Sequence, residues 1–189
     1  SKIILVSISS MLIANCPIDT VQYLNKINKI LSEFSLLSPL THNVYFESCN
    51  LVSINTLQHK NLKLDSIAAI AFLKMEKDAA KDSIKFRIAS AFRTVDRQSS
   101  IINRKLKKGI PIDSILKENT LPGYSEHHSG RAVDFLAENS YSLSTDFENT
   151  KTFKWLTEHG NKYGFYLSYP KNNKDGIMYE PWHWMYRNQ

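Results

Sequence analysis

The chain has 189 residues, of which 42% are hydrophobic and 22% charged, an ordinary globular composition and enough length for about one domain. A net charge of +6 and an isoelectric point near 9.2 attract polyanions, yet Lys and Arg are scattered and no nucleic-acid-binding motif accompanies them, so nucleic acid is excluded as an expected partner. A cell-wall or anionic-membrane surface accounts for the charge, as does a plain solvated basic face, and no repeat, low-complexity tract or linker sets off a second folded domain.

In chain order, residues 1–35 form an N-terminal segment and 36–189 the main domain. After Lys2, the apolar run 3–14 is too short to span a bilayer. It has the size of a signal-peptide core, and residues 13–16 loosely match a lipoprotein cleavage box ending at Cys16, although Asn15 stands where a smaller residue is usual. The competing reading is a core strand over 3–9. Asp19 or Thr20 then caps a helix carrying Val21, Leu24, Ile27, Leu31 and Phe34 at helical spacing. Residues 36–55, with Pro39 and several strand-favouring residues, read as an extended connection. Asp65 caps a second helix over 67–81, whose Ile70, Leu73 and Met75 are expected to face the core. A strand over 85–92 follows, then a helix over 96–107 that stops at Gly109 and Pro111, then a short helix over 112–118. Residues 132–137 alternate as a strand. A helix over 150–163 bears Phe153 and Leu156 and halts near Gly164, and further strands cover 164–169 and 178–186. The expected fold class is α+β, a small, mainly antiparallel sheet that carries the site and is flanked by helices.

The chemistry concentrates in two segments. His127 and Asp134 lie seven positions apart with Gly130 between them, where a glycine permits a turn or close backbone approach. The strand after Gly130 would hold Asp134 firmly. Downstream, Glu180 and His183 would point to opposite faces of a regular strand. Pro181 between them cannot donate to a ladder, so a bulge or edge is expected that turns both towards one site. Two histidines and an aspartate, with a glutamate to spare, suit a catalytic zinc, which takes three protein ligands and keeps a fourth position for water. Arg93 closes the strand over 85–92 and is preferred to its neighbour Arg97 as a rigidly held site residue. His42, His59 and His159 belong to no motif and read as surface or helix residues. Cys16 and Cys49 could pair in an oxidising compartment; otherwise Cys16 is lipidated and Cys49 left free.

Taken together, Ser125-x-His127-x-x-Gly130-x-Ala132-x-Asp134 and Glu180-x-Trp182-His183 resemble the zinc D-alanyl-D-alanine carboxypeptidases of the vancomycin-resistance type. These belong to a wider group with lysostaphin-type endopeptidases and the hedgehog signalling domain. Ser90, Arg93 and Gln98 are similar to a third family segment, and Tyr163-Gly-Phe165 leading to Tyr169-Pro170 to a fourth. The matches run in family order from about residue 64 to 187. Phe92 and Thr94 depart from it, standing where Tyr and Ser are frequent.

The resemblance implies that His127, Asp134 and His183 hold one zinc ion and that Glu180 is the catalytic base. It implies that Arg93 stabilises the oxyanion, that Ser125 and Gln98 bind the end of the peptide, and that Trp182 lines the cleft. The family spacing selects His127 over His128, which is expected to be exposed or packed behind the ligands. The implied activity is D,D-carboxypeptidase action on peptidoglycan stem peptides, with an L,D-carboxypeptidase acting on tetrapeptide stems as the alternative. A non-catalytic zinc-containing wall-binding module is the reading from another class, and it has no need of Glu180 or Arg93. The implied setting is the cell envelope or periplasm, with membrane association if Cys16 carries a lipid; a monomer is expected.

Overall fold

The structure is a computed structural model that describes residues 19–36, 43–174 and 176–188. The proposed signal, cleavage box and first strand therefore lie outside the described residues, as do His42 and Cys16. Cys49 is disulfide-bonded, which overturns the reading that leaves it free.

Helix α1 (Thr20–Glu33) starts where Asp19 accepts a hydrogen bond from the Gln22 amide at 3.0 Å. Its Ile27, Ile30 and Leu31 pack with Val95 and Tyr124, whereas Val21 and Leu24 are exposed. The connection expected over 36–55 ends in a strand, β1 (Leu51–Ile54), paired antiparallel with β2 (Leu62–Asp65). No two-residue turn signal marks this hairpin, because its strands are joined by the longer loop 55–61.

Asp65 ends β2 and caps α2 (Ser66–Lys81), accepting from the Ile67 amide at 3.3 Å. The buried stripe of α2 is Ala68, Phe72, Met75 and Ala79, at spacings of three and four. Met75 faces the core as expected. Ile70 and Leu73 fall off that stripe and are 52% and 39% exposed, which corrects their core assignment.

A four-stranded antiparallel sheet carries the rest, in the order β3–β4–β6–β5. Its strands are β3 (Arg87–Ser90), β4 (Ala132–Leu136), β5 (Phe165–Leu167) and β6 (His183–Tyr186). All are shorter than the sequence reading. The largest difference is β6, which starts at His183 because the segment before it, with Pro181 and no ladder donor there, is irregular. Helices α3 (Val95–Leu106), α4 (Ile112–Glu118) and α5 (Lys151–His159) complete the domain. Thr94 caps α3 by accepting from the Arg97 amide, one residue ahead of the expected start. After α5 the chain makes a 3-10 turn to Tyr163 and is halted by Gly164 at a φ of 78°. Among the described residues, no helix is long and apolar enough to cross a membrane.

Strand β4 links core and site, because successive side chains face opposite ways. Asp134 points to the chemistry. Phe135 points into the core against Phe72, Phe86 and Phe147, with ring centroids 6.3, 5.1 and 6.4 Å away. Phe135→Ala is expected to cost about 3–5 kcal/mol, the usual loss for a fully buried ring. Urea unfolding measures it, and a variant as stable as the wild type would contradict this packing.

Candidate metal centre and active-site cleft

His127 sits in a 3-10 turn (Glu126–Ser129) that opens into β4 through Gly130. Gly130 has a φ of 67°, and a Cβ there would come within 2.9 Å of both the Asp65 backbone nitrogen and the Leu51 side chain. Only glycine fits, as its place in the motif predicts. The turn presents the His127 ring so that Nδ1–H donates to the Ala91 carbonyl at 2.7 Å. Nε2 is left 3.0 Å from Asp134 Oδ2.

Across the sheet, Asp134 is register-paired with His183, and its Oδ1 lies 2.8 Å from His183 Nδ1. One donor atom from each of His127, Asp134 and His183 falls within 4.8 Å of the others, and all three residues are buried. Glu180 reaches the same place through a turn in which the His183 amide donates to the Glu180 carbonyl at 3.1 Å. This is the irregularity expected around Pro181. Glu180 Oε2 stands 4.0 Å from His183 Nδ1, beyond hydrogen-bond reach.

The electrostatics follow from burial and these neighbours. Burial pushes the Glu180 carboxyl up to about 7; His183 and Arg93 oppose the rise and Asp134 adds to it. Burial works against charge on Asp134 as well, but His127 and His183 outweigh it and hold the carboxyl well below the usual range. His183 is raised to about 10: its hydrogen bonds to Asp134 and Glu126 overcome the burial that would lower it. Without a cation, these neighbours favour a proton on His183, with which a bound metal would compete.

Arg93 flanks the donors, with NH2 3.7 Å from Asp134 Oδ2. Its guanidinium is fixed by donating to Gln98 Oε1 at 2.8 Å and Ser90 Oγ at 2.9 Å. Gln98 in turn donates to the Thr120 carbonyl at 2.7 Å, so this residue first of all holds Arg93. All eight expected site residues, namely His127, Asp134, His183, Glu180, Arg93, Ser125, Gln98 and Trp182, line one cleft of about 570 Å³.

Two histidines and one glutamate carry more than the sequence reading assigned. His128 is not exposed at all. Its Nδ1–H donates to the Arg93 carbonyl at 2.6 Å and its Nε2 accepts from the Gly123 amide at 3.1 Å, so it fixes the backbone on both sides of the site. Burial lowers its pKa to about 4, which keeps it neutral. His59 is half-buried rather than on the surface, and its Nε2 accepts from the Ile88 amide beside the irregular register of β3. Glu126 was not singled out, yet it is 6% exposed and lies 2.9 Å from His183 Nε2. The only local signal was its place between Ser125 and His127.

Three buried residues that could hold a metal ion, a carboxylate at their edge and a fixed guanidinium come together on an α+β domain. The chain belongs to the VanY D-alanyl-D-alanine carboxypeptidase family, whose model matches residues 61–189. It is 36% identical over 124 residues to the putative carboxypeptidase YodJ of Bacillus subtilis, covering 63% of this chain and 44% of that protein. It is 35% identical over 134 residues to a D-alanyl-D-alanine carboxypeptidase of Enterococcus faecium, covering 69% and 39%. The chain thus spans less than half the length of these curated relatives. Among solved structures it is similar to the LdcB LD-carboxypeptidase, with a TM-score of 0.66 and 30% identity over 75% of this chain and 69% of that one.

Proposed function

We propose that the protein is a zinc-dependent D,D-carboxypeptidase that hydrolyses the terminal D-Ala-D-Ala bond of peptidoglycan stem peptides. The observation that carries this reading is the buried His127, Asp134 and His183 donor set with Glu180 beside it, unligated, in the cleft. Two imidazole nitrogens and one carboxylate oxygen suit a catalytic zinc. Held there, zinc would polarise the scissile carbonyl and lower the pKa of a water to about 7. Glu180 takes a proton from the attacking water and returns it to the leaving amine. A carboxyl raised towards neutrality serves both halves of that exchange. Arg93, locked by Ser90 and Gln98, offers a fixed donor to the oxyanion that develops on the carbonyl. Ser125 and Gln98 are assigned to the end of the peptide and Trp182 to the cleft wall.

The domain over 36–189 acts as a monomer on stem peptides in the cell envelope or periplasm. The disulfide at Cys49 supports an oxidising compartment, and in a chain with two cysteines it speaks against a lipid on Cys16. The L,D-carboxypeptidase reading stays as the alternative because of the 30% identity to the LdcB enzyme. A wall-binding module leaves Glu180 and Arg93 without a purpose. The test is release of D-alanine from a pentapeptide stem by zinc-loaded protein, abolished by a chelator and restored by added zinc. Release that persists in full after the zinc is removed would overturn the metal-dependent reading.

A further inference from the structure

We propose that Glu126 is a positioning residue that holds His183 in the Nε2–H tautomer and so presents Nδ1 to the metal; the inference rests on the metal-dependent reading above. Strand register fixes where the His183 backbone lies, but an imidazole can still offer either nitrogen. Here Nδ1 faces the donors, 2.8 Å from Asp134 Oδ1 and 4.0 Å from Glu180 Oε2, while Nε2 points away to Glu126 Oε2 at 2.9 Å. A neutral ring that ligates through Nδ1 must carry its proton on Nε2. An ionised carboxylate can only accept, so Glu126 admits that tautomer and no other.

Glu126 is itself held in place. Ser168 Oγ donates to the same oxygen at 2.5 Å, and the Tyr45 hydroxyl donates to the other at 3.3 Å. Ser168 immediately follows β5, the neighbour of β6 in the sheet, so the carboxylate is fixed by the framework that carries His183. His127 shows the opposite arrangement: its Nδ1–H is taken by the Ala91 carbonyl, which frees Nε2. As neutral ligands, the two rings are therefore held in opposite tautomers, one by a neutral carbonyl and one by a carboxylate. The carboxylate is the stronger partner, since charge-assisted hydrogen bonds are roughly twice as strong as neutral ones. It also raises the basicity of the ligand it holds.

Glu126 does not line the substrate cleft; it borders a neighbouring cavity of about 790 Å³ together with Tyr45 and Ser168. Its loss should therefore act through the metal and not through substrate contact. The test is zinc affinity of the wild type, Glu126→Gln and Glu126→Ala by competition with a chromophoric chelator, followed by kcat and KM of the zinc-saturated proteins. The Ala variant is expected to bind zinc about 10–100-fold more weakly, as loss of a group that orients a metal ligand usually costs. Gln keeps an acceptor oxygen and should recover part of that loss; kcat should fall with KM nearly unchanged. Equal zinc affinity in wild type and Gln variant, or an effect confined to KM, would overturn the inference even if the Ala variant fails to fold. A wild type that binds no zinc would instead remove the metal-dependent reading, and this inference with it.

Discussion

Glu180→Gln is expected to lower turnover by about 10²–10⁴-fold, the usual contribution of general acid–base catalysis, while zinc affinity stays close to that of the wild type. Glu180 stands 4.0 Å from His183 Nδ1 and outside the three-donor set, so removing its charge leaves the metal's ligands in place. The pH dependence follows with a definite sign. A base must be ionised to accept a proton, so kcat/KM should rise with pH through the Glu180 ionisation. Burial puts that ionisation near 7, and a cation among the neighbouring donors would pull it lower. The acid limb is therefore expected at or below about pH 7 and should be absent from the Gln variant. Unchanged turnover in Glu180→Gln would refute the role of this residue.

Asp134→Asn should have the other large effect, and on a different observable. Asp134 meets His127 Nε2 at 3.0 Å, His183 Nδ1 at 2.8 Å and Arg93 at 3.7 Å, almost wholly out of solvent. Neutralising it removes the one anionic donor of the set, so zinc affinity should fall by more than the about 10–100-fold expected for a supporting group such as Glu126. The same change takes the carboxylate from between Arg93 and His183, leaving His183 with Glu126 and Arg93 with the more distant Glu180. Breaking a buried pair in this way costs up to about 3–5 kcal/mol. Urea unfolding of the chelator-treated protein isolates that cost from the loss of metal binding. A variant with wild-type zinc affinity would remove Asp134 from the ligand set.

What was readable from the sequence is what local spacing encodes. Gly130 is required by the turn itself, which places His127 and Asp134 on either side of it. Pro181 signalled a break before β6, and the break is the turn that brings Glu180 round to His183. The pairing of Asp134 with His183 depends on sheet register, yet both fell on expected strands, so the donor set was legible. Glu126 was not, because its partner lies 57 positions away and nothing in its own neighbourhood reports that contact. His59 was misplaced for the same reason, since it bonds backbone from a distant segment, whereas His128 takes the second of its two expected places, packed behind the ligands. Ile70 and Leu73 show the converse limit. Hydrophobicity marked them as core, but the face of α2 that turns inward is chosen by Ala68, Phe72, Met75 and Ala79, where small residues let the helix approach the sheet.

The most direct test of the account is mass spectrometry of zinc-loaded protein incubated with pentapeptide and tetrapeptide stem muropeptides beside a chelated control. Loss of a single alanine from the pentapeptide alone, and none in the control, is the predicted result. Loss from the tetrapeptide would move the specificity to the L,D class. No mass change in either substrate, with zinc bound stoichiometrically, would contradict carboxypeptidase activity altogether.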